Sequence, residues 1–295
     1  MNEKDIEILV RRIISEMKPP REQAESLPDP GDDSGETLPD LMERDKASGI
    51  LVPHPADEAG LAAMVASTPA RIGVGRAGPR PKTEHWLRFR ADHAAANDAV
   101  LSEVDLDMVE RLGFFTVASR ASSKDEFLTR PDLGRLLSPE GETRVREECP
   151  KGADVQLVMA DGLSSAAITA NAPDFIPAFE EMLRGYGLAT GKKFFVRYGR
   201  VGLINAVGEI LAPKVVLLLI GERPGLVTAS SMSAYMCYAP SAKTIESERT
   251  LVANIHRGGI PAVEAAAHVA ETVKRIFDMK ASGLKLRALS EDAGS

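Results

Sequence analysis

Three short stretches combine charge, hydroxyl and glycine in a way that could do chemistry. They are Asp161-Gly162-Leu163-Ser164, Arg197-Tyr198-Gly199-Arg200-Val201 and Gly221-Glu222-Arg223-Pro224-Gly225. Each follows a short apolar run, and in an open α/β sheet ligands bind outside the carboxyl ends of the strands. Three polar loops at one edge would therefore make a binding site. Ser164 and Ser165 could be read as a nucleophile on a turn, yet no base is recognisable near them, and capping the following helix is the expected task. Gly73 to Gly78, "GVGRAG", spells the G-x-G-x-x-G of a dinucleotide loop. It runs into Pro79 and Pro81 instead of a helix and lacks a βαβ context, so that reading is rejected. Arg76, Arg80 and Lys82 suit either a phosphate or partner contact or a solvated basic turn. Of five histidines, His85, His93 and His268 fall on expected helices and His54 lies beside a proline. His256, next to Gly258-Gly259, is the one retained as a site candidate. No Walker loop, Ser/His/Asp set or metal-spaced His/Cys cluster is present. Cys149 and Cys237 read as ordinary thiols of a reducing compartment.

The elements that must position these loops follow from periodicity. Residues 1–18 form an amphipathic pattern (Ile6, Leu9, Val10, Ile13, Ile14, Met17) that Pro19-Pro20 ends. The helix either docks on a separate partner or folds back on its own domain. Residues 19–44 are rich in Pro, Asp, Glu, Gly and Ser and read as a flexible, disordered linker. Residues 45–150 read as mainly helical. From 151 to 295 the runs "DVQLVMADGLS", "KKFFVRYGRV" and "KVVLLLIGERPG" alternate with helical segments, with "SMSAYMCYA" as a further strand and Pro261 opening a long last helix. Buried strands alternating with helices predict an α/β fold: a Rossmann-like parallel sheet flanked by helices, with a mostly helical N-terminal part and a flexible tail.

The bulk properties narrow the function. The 295 residues carry a formal charge of −7 and only 5% aromatics. Nucleic-acid binding is disfavoured, since no basic patch or stacking platform stands out. The longest apolar run, Val215 to Gly221, is too short to span a bilayer, and no secretory apolar core opens the chain. The expectation is an acidic protein of the bacterial cytoplasm.

Longer phrases carry a specific resemblance. "GRAGPRPKTEHWLRFRADHAAANDAVLSEV", "FLTRPDLGR" (Phe127 to Arg135), "ADGLSSAAI", "FFVRYGRV", "GEILAPKVVLLLIGERPGL" and "NIHRGGIPAVEAAA" occur in this order from about residue 50 onward. The chain resembles the small (light) subunit of ethanolamine ammonia-lyase, EC 4.3.1.7. The resemblance implies a subunit of a hetero-oligomer that converts ethanolamine to acetaldehyde and ammonia by a radical mechanism. Its partner would be a TIM-barrel large subunit holding the catalytic groups, so no catalytic and no metal-ligating residue is expected here. Adenosylcobalamin would lie at the interface, on a shelf to which this chain adds Val201, Glu222 and Leu251. Glu222 would accept hydrogen bonds from the amide fringe of the corrin, and Val201 would give an apolar contact. At Leu251 the family often has cysteine, so that contact would be van der Waals or through the backbone. The absence of D-x-H-x-x-G agrees with a cofactor that keeps its own benzimidazole on cobalt. The resemblance further implies a bacterial microcompartment, to whose shell proteins residues 1–18 would direct the chain. The alternative is a stand-alone Rossmann-type enzyme with a nucleotide cofactor.

Overall fold

The computed structural model describes residues 50–68 and 70–292; the expected helix at 1–18 and linker at 19–44 lie outside them. Helix α1 (Glu58–Ser67) starts where the Asp57 carboxylate accepts from Gly60 N. The G-x-G-x-x-G stretch becomes a small antiparallel ribbon of β1 (Arg76–Ala77) and β2 (Arg80–Pro81). Helices α2 (Thr83–Leu101) and α3 (Leu106–Arg111) follow. Next comes a strand inside the region expected to be mainly helical, β3 (Phe115–Ala118). Helices α4 (Lys124–Thr129) and α5 (Pro139–Glu148) come after it, and serines at 123 and 138 cap both.

The expected alternation then unfolds: β4 (Val155–Ala160), α6 (Ser165–Gly185), β5 (Phe194–Arg197), α7 (Leu203–Leu211), β6 (Val215–Gly221) and β7 (Met232–Tyr238). Strand β8 (Thr250–Ile255) and helices α8 (Ala262–Met279) and α9 (Gly283–Asp292) complete the order. The sheet runs β3-β5-β4-β6-β7-β8. The first four strands are mutually parallel, and β7 and β8 join antiparallel. Strand β8 therefore points the same way as β6. The Rossmann-like expectation holds for the parallel part, and the sheet draws on residues both before and after position 150.

Strands β4 and β6 are buried at every position, as both-faced cover requires. Alternation sorts their side chains. Leu157, Met159, Leu217 and Leu219 pack with Phe175, Phe179 and Val269 of α6 and α8. Val158, Val216 and Leu218 pack with Val145 of α5 and with Leu203 and Val207 of α7. The product is a three-layer sandwich. Helix α6 carries Pro173 and Pro177 inside it. Each lacks the N–H that would reach back four residues, to Thr169 and Pro173 respectively. Thr169, Pro173 and Pro177 all face solvent, so water can satisfy the two carbonyls. No helix among the described residues is long and apolar enough to cross a membrane.

Candidate functional site

Since β5, β4 and β6 are adjacent and parallel, the three polar loops leave the sheet side by side. They are also bonded to one another. The Asp161 carboxylate, at the end of β4, accepts from Tyr198 N at 2.9 Å and Gly199 N at 3.1 Å, and from Gly162 N. Leu163 N donates to Gly221 O at 3.0 Å. Gly162 has φ +58, and a Cβ there would collide with the Gly221 carbonyl oxygen. Only glycine allows both the left-handed turn and the contact. Ser164 is fully buried; its hydroxyl accepts from Ala167 N and donates to Ala229 O at 2.7 Å. It is the cap of α6, as expected, and not a nucleophile.

Burial pushes the Asp161 carboxyl up to about 6, although Lys124 and the three backbone donors favour its ionised form. Tyr198, which it holds, sits at φ +59, costly for a side chain of this size. Its hydroxyl donates to Glu103 Oε1 at 2.9 Å, and Glu103 also takes Arg197 at 2.9 Å. The Lys124 ammonium nitrogen is buried without a hydrogen-bond partner. It lies 5.7 Å from the Phe127 ring centre and 5.9 Å from that of Tyr198, a cation–π position. Burial lowers its pKa, opposed by Asp161 and Glu103.

The three residues named from sequence lie toward one face of the sheet, with Val201 and Glu222 in the loops after β5 and β6 and Leu251 on edge strand β8, level with Leu218 of β6. Glu222, half-buried after β6, accepts from the Tyr235 hydroxyl at 3.3 Å on Oε1. Tyr235 stands directly opposite Leu251 in the antiparallel β7–β8 pair, which puts both side chains on the same face. Leu251 is 47% exposed. Val201 and Tyr235 pack against the same buried cluster, the one beneath α7. Burial, then the Glu222 charge, raises the Tyr235 phenol to about 12. Glu222 makes no ion pair with Arg223 among the described residues, and its Oε1 takes the Tyr235 hydroxyl.

Three further residues belong here that the sequence reading did not single out: Tyr235, Asn205 and Arg249. The Arg249 side chain is only 5% exposed. It pairs with Glu246 and donates to Asn205 Oδ1 at 3.0 Å, and its Nε is buried without a partner. The alternation of Met232, Ala234 and Met236 with Ser233, Tyr235 and Cys237 carried the signal for Tyr235, since it sorts β7 into an apolar and a more polar face.

The other candidates lie elsewhere or inert. An open cleft of about 790 Å³ at the ends of β3 and β5 is lined by Ser119, Arg120, Arg130, Ser138, Arg197 and Tyr198 among others; Val201, Glu222 and Leu251 do not line it. Arg76 and Arg80 are exposed on the β1–β2 ribbon, and Lys82 ties down Leu51 O at 2.8 Å. His256 directly follows β8, and its Nδ1 accepts from Gly258 N at 3.1 Å. Burial drives the Cys149 thiol up to about 11 and raises that of Cys237, so both stay protonated. No group of three or more His, Cys, Asp or Glu among the described residues could hold a metal ion.

A family model for the ethanolamine ammonia-lyase light chain (EutC) matches residues 58–287. A protein of Clostridium perfringens named ethanolamine ammonia-lyase small subunit is 46% identical, with 97% of this chain and 100% of the relative covered. Proteins of the same name from Clostridioides difficile and Listeria monocytogenes are each 44% identical at the same coverage. The match spans the ribbon, all eight strands and the whole rim, and this chain belongs to the ethanolamine ammonia-lyase small-subunit family.

Proposed function

We propose that this chain is the small subunit of an adenosylcobalamin-dependent ethanolamine ammonia-lyase. In this reading it supplies the cofactor shelf at the contact with a TIM-barrel large subunit. Ethanolamine becomes acetaldehyde and ammonia on the large subunit. The observation that carries the shelf is the Glu222–Tyr235–Leu251 arrangement. A carboxylate acceptor is held by a phenol beside an exposed leucine, with Val201 on the same buried cluster. This donor and acceptor set fits a corrin, whose rim of amides offers N–H groups and whose ring is apolar. Charge-assisted bonds of that kind are stronger than neutral ones.

When bound, adenosylcobalamin supplies homolytic cleavage of its cobalt–carbon bond, the hard chemistry that a cofactor brings. The work of this chain is positional. Glu222 orients the amide edge, Tyr235 fixes the Glu222 carboxylate, and Val201 and Leu251 exclude water from the ring. Asp161 locks the loops that carry these groups. Residues 1–18 are proposed to direct the chain to the shell proteins of a bacterial microcompartment, on the strength of their amphipathic pattern alone. Deleting them should leave deamination intact and abolish shell association.

The test of the whole reading is ethanolamine deamination with adenosylcobalamin by this chain alone, a matching large subunit alone, and the two mixed. Activity confined to the mixture, with affinity for the cofactor lost in Glu222→Ala while the subunits still associate, supports it. Activity of this chain alone overturns it.

A further inference from the structure

Three arginines lie in or against the loops that carry Val201 and Glu222, and two of them, Arg135 and Arg223, have no assigned task. Arg200 immediately precedes Val201, Arg223 immediately follows Glu222, and the 3₁₀ turn Leu133–Arg135 brings Arg135 against the same loop. The closeness of Arg135 is explicit: a Cβ on Gly202 would lie 2.8 Å from Arg135 Cγ. Arg200 N donates to Gly134 O at 2.8 Å, which fixes the two segments together. The positive charges are felt mutually: Arg135 and Arg223 depress the pKa of Arg200 after burial does, and Arg135 that of Arg249.

Such a gathering is against the average of a chain with 43 acidic and 36 basic side chains. The carboxylates within electrostatic reach are already engaged. Asp132 is held by Arg130 through bonds of 3.0 and 2.8 Å. Asp161 is held by backbone N–H groups and Glu246 by Arg249, and Glu222, whose Oε1 takes the Tyr235 hydroxyl, makes no ion pair with Arg223 among the described residues. Arg135 and Arg223 form no side-chain ion pair among the described residues and are exposed. Arg200 is different: its Nη2 donates to Phe127 O at 2.8 Å and its guanidinium lies 4.2 Å from the Phe127 ring centre, so it adds positive charge from a fixed position. The two exposed, unpaired guanidinium groups of Arg135 and Arg223 suit a planar or tetrahedral anion that can accept forked hydrogen bonds.

We infer that Arg135 and Arg223 form an anion subsite of the shelf that binds a phosphodiester, with Arg200, pinned on Phe127, adding positive charge behind them. On the cofactor reading above, on which this rests, that group is the phosphodiester in the nucleotide loop of the cobalamin. Arg249 serves as its buried support, anchoring the start of β8 to Asn205 beneath the site.

The test uses the full chain mixed with its large subunit and follows corrin absorbance during titration. Hydroxocobalamin carries the phosphodiester; dicyanocobinamide has the same ring without the nucleotide loop. Arg135→Gln plus Arg223→Gln alters exposed side chains only, and gel filtration of the mixture checks assembly. The inference expects the double variant to lose about tenfold or more in hydroxocobalamin affinity and to bind cobinamide as the wild type does. Equal weakening for both corrinoids overturns it, as does no weakening for either. Weakened subunit association in place of weakened binding also overturns it, by giving the arginines to an acidic surface of the partner. Wild-type mixture that binds neither corrinoid removes the cofactor reading itself, a result distinct from the others.

Discussion

The hydroxyl of Tyr235 donates to Oε1 of Glu222 at 3.3 Å, linking the end of β6 to the middle of β7. The bond engages one oxygen of the carboxylate. On the proposed cofactor reading, Tyr235→Phe should weaken cofactor binding by about 0.5–1.5 kcal/mol, the net worth of such a bond. Glu222→Gln should cost more, because a charged acceptor is lost. Spectroscopic titration of the mixed subunits measures both. Equal affinity in Glu222→Gln and wild type would remove Glu222 from the site.

The same pair sets a titration. Tyr235 stands at about 12, so at about pH 10, where an ordinary tyrosine is half ionised, it remains a phenol. Phenolate absorbance of Tyr235→Phe and wild type should coincide there. Glu222→Gln, which removes the neighbouring negative charge, should bring the phenol down and open a difference between the two backgrounds.

Asp161 links pH to stability. Its folded pKa of about 6 lies above the ordinary 3.8, so the folded state binds the proton more tightly than the unfolded chain. This group's contribution is complete below about pH 4 and is lost as pH rises through about 6, a change on the order of 3 kcal/mol. Asp161→Asn lacks the term. Denaturant melts at pH 4 and pH 7 should show wild type losing stability relative to the variant as pH rises; parallel curves would contradict the assignment.

Ser164→Ala separates capping from catalysis. The variant should lose about 1–2 kcal/mol of stability through the missing cap, with a further loss because the Ala229 carbonyl loses its donor. At a temperature where both proteins are folded, the mixed enzyme should keep its rate. A collapse of kcat with unchanged stability would restore the nucleophile reading.

Leu251→Cys tests whether that position needs a particular side chain. Leu251 is half exposed on an edge strand, so stability should move by less than about 0.5 kcal/mol. Cofactor affinity should stay within a few-fold if the contact is through the backbone or by simple packing. A tenfold gain would show that sulfur is specifically wanted there.

Much of this arrangement was legible because the apolar runs of β4, β5 and β6 are buried and end in polar glycine turns, a pattern local in sequence. The loops carrying Asp161, Val201 and Glu222 could be assigned to one edge from the parallel alternation alone. Strand β3 was not legible, since "FFTVA" is short and lies among helices. It becomes a strand only because β5 offers its edge. Tyr235 and Arg249 escaped notice for a related reason. Their roles depend on the β7–β8 register and on a hydrogen bond to Asn205, 44 residues away, and nothing in the spacing encodes such pairings. The approach of Arg135 to the loop of Arg200 was not legible either, since it depends on a contact between segments about 65 residues apart in sequence.

Glu222 and Val201 are half-buried and Leu251 is exposed in the single chain, which on the proposed reading makes the shelf a floor whose cover comes from the large subunit. A molecule resting there stays only as long as something covers it. On the proposed reading its residence time is governed by the lifetime of the subunit contact, and exchange of a spent cofactor requires the two subunits to part at this rim.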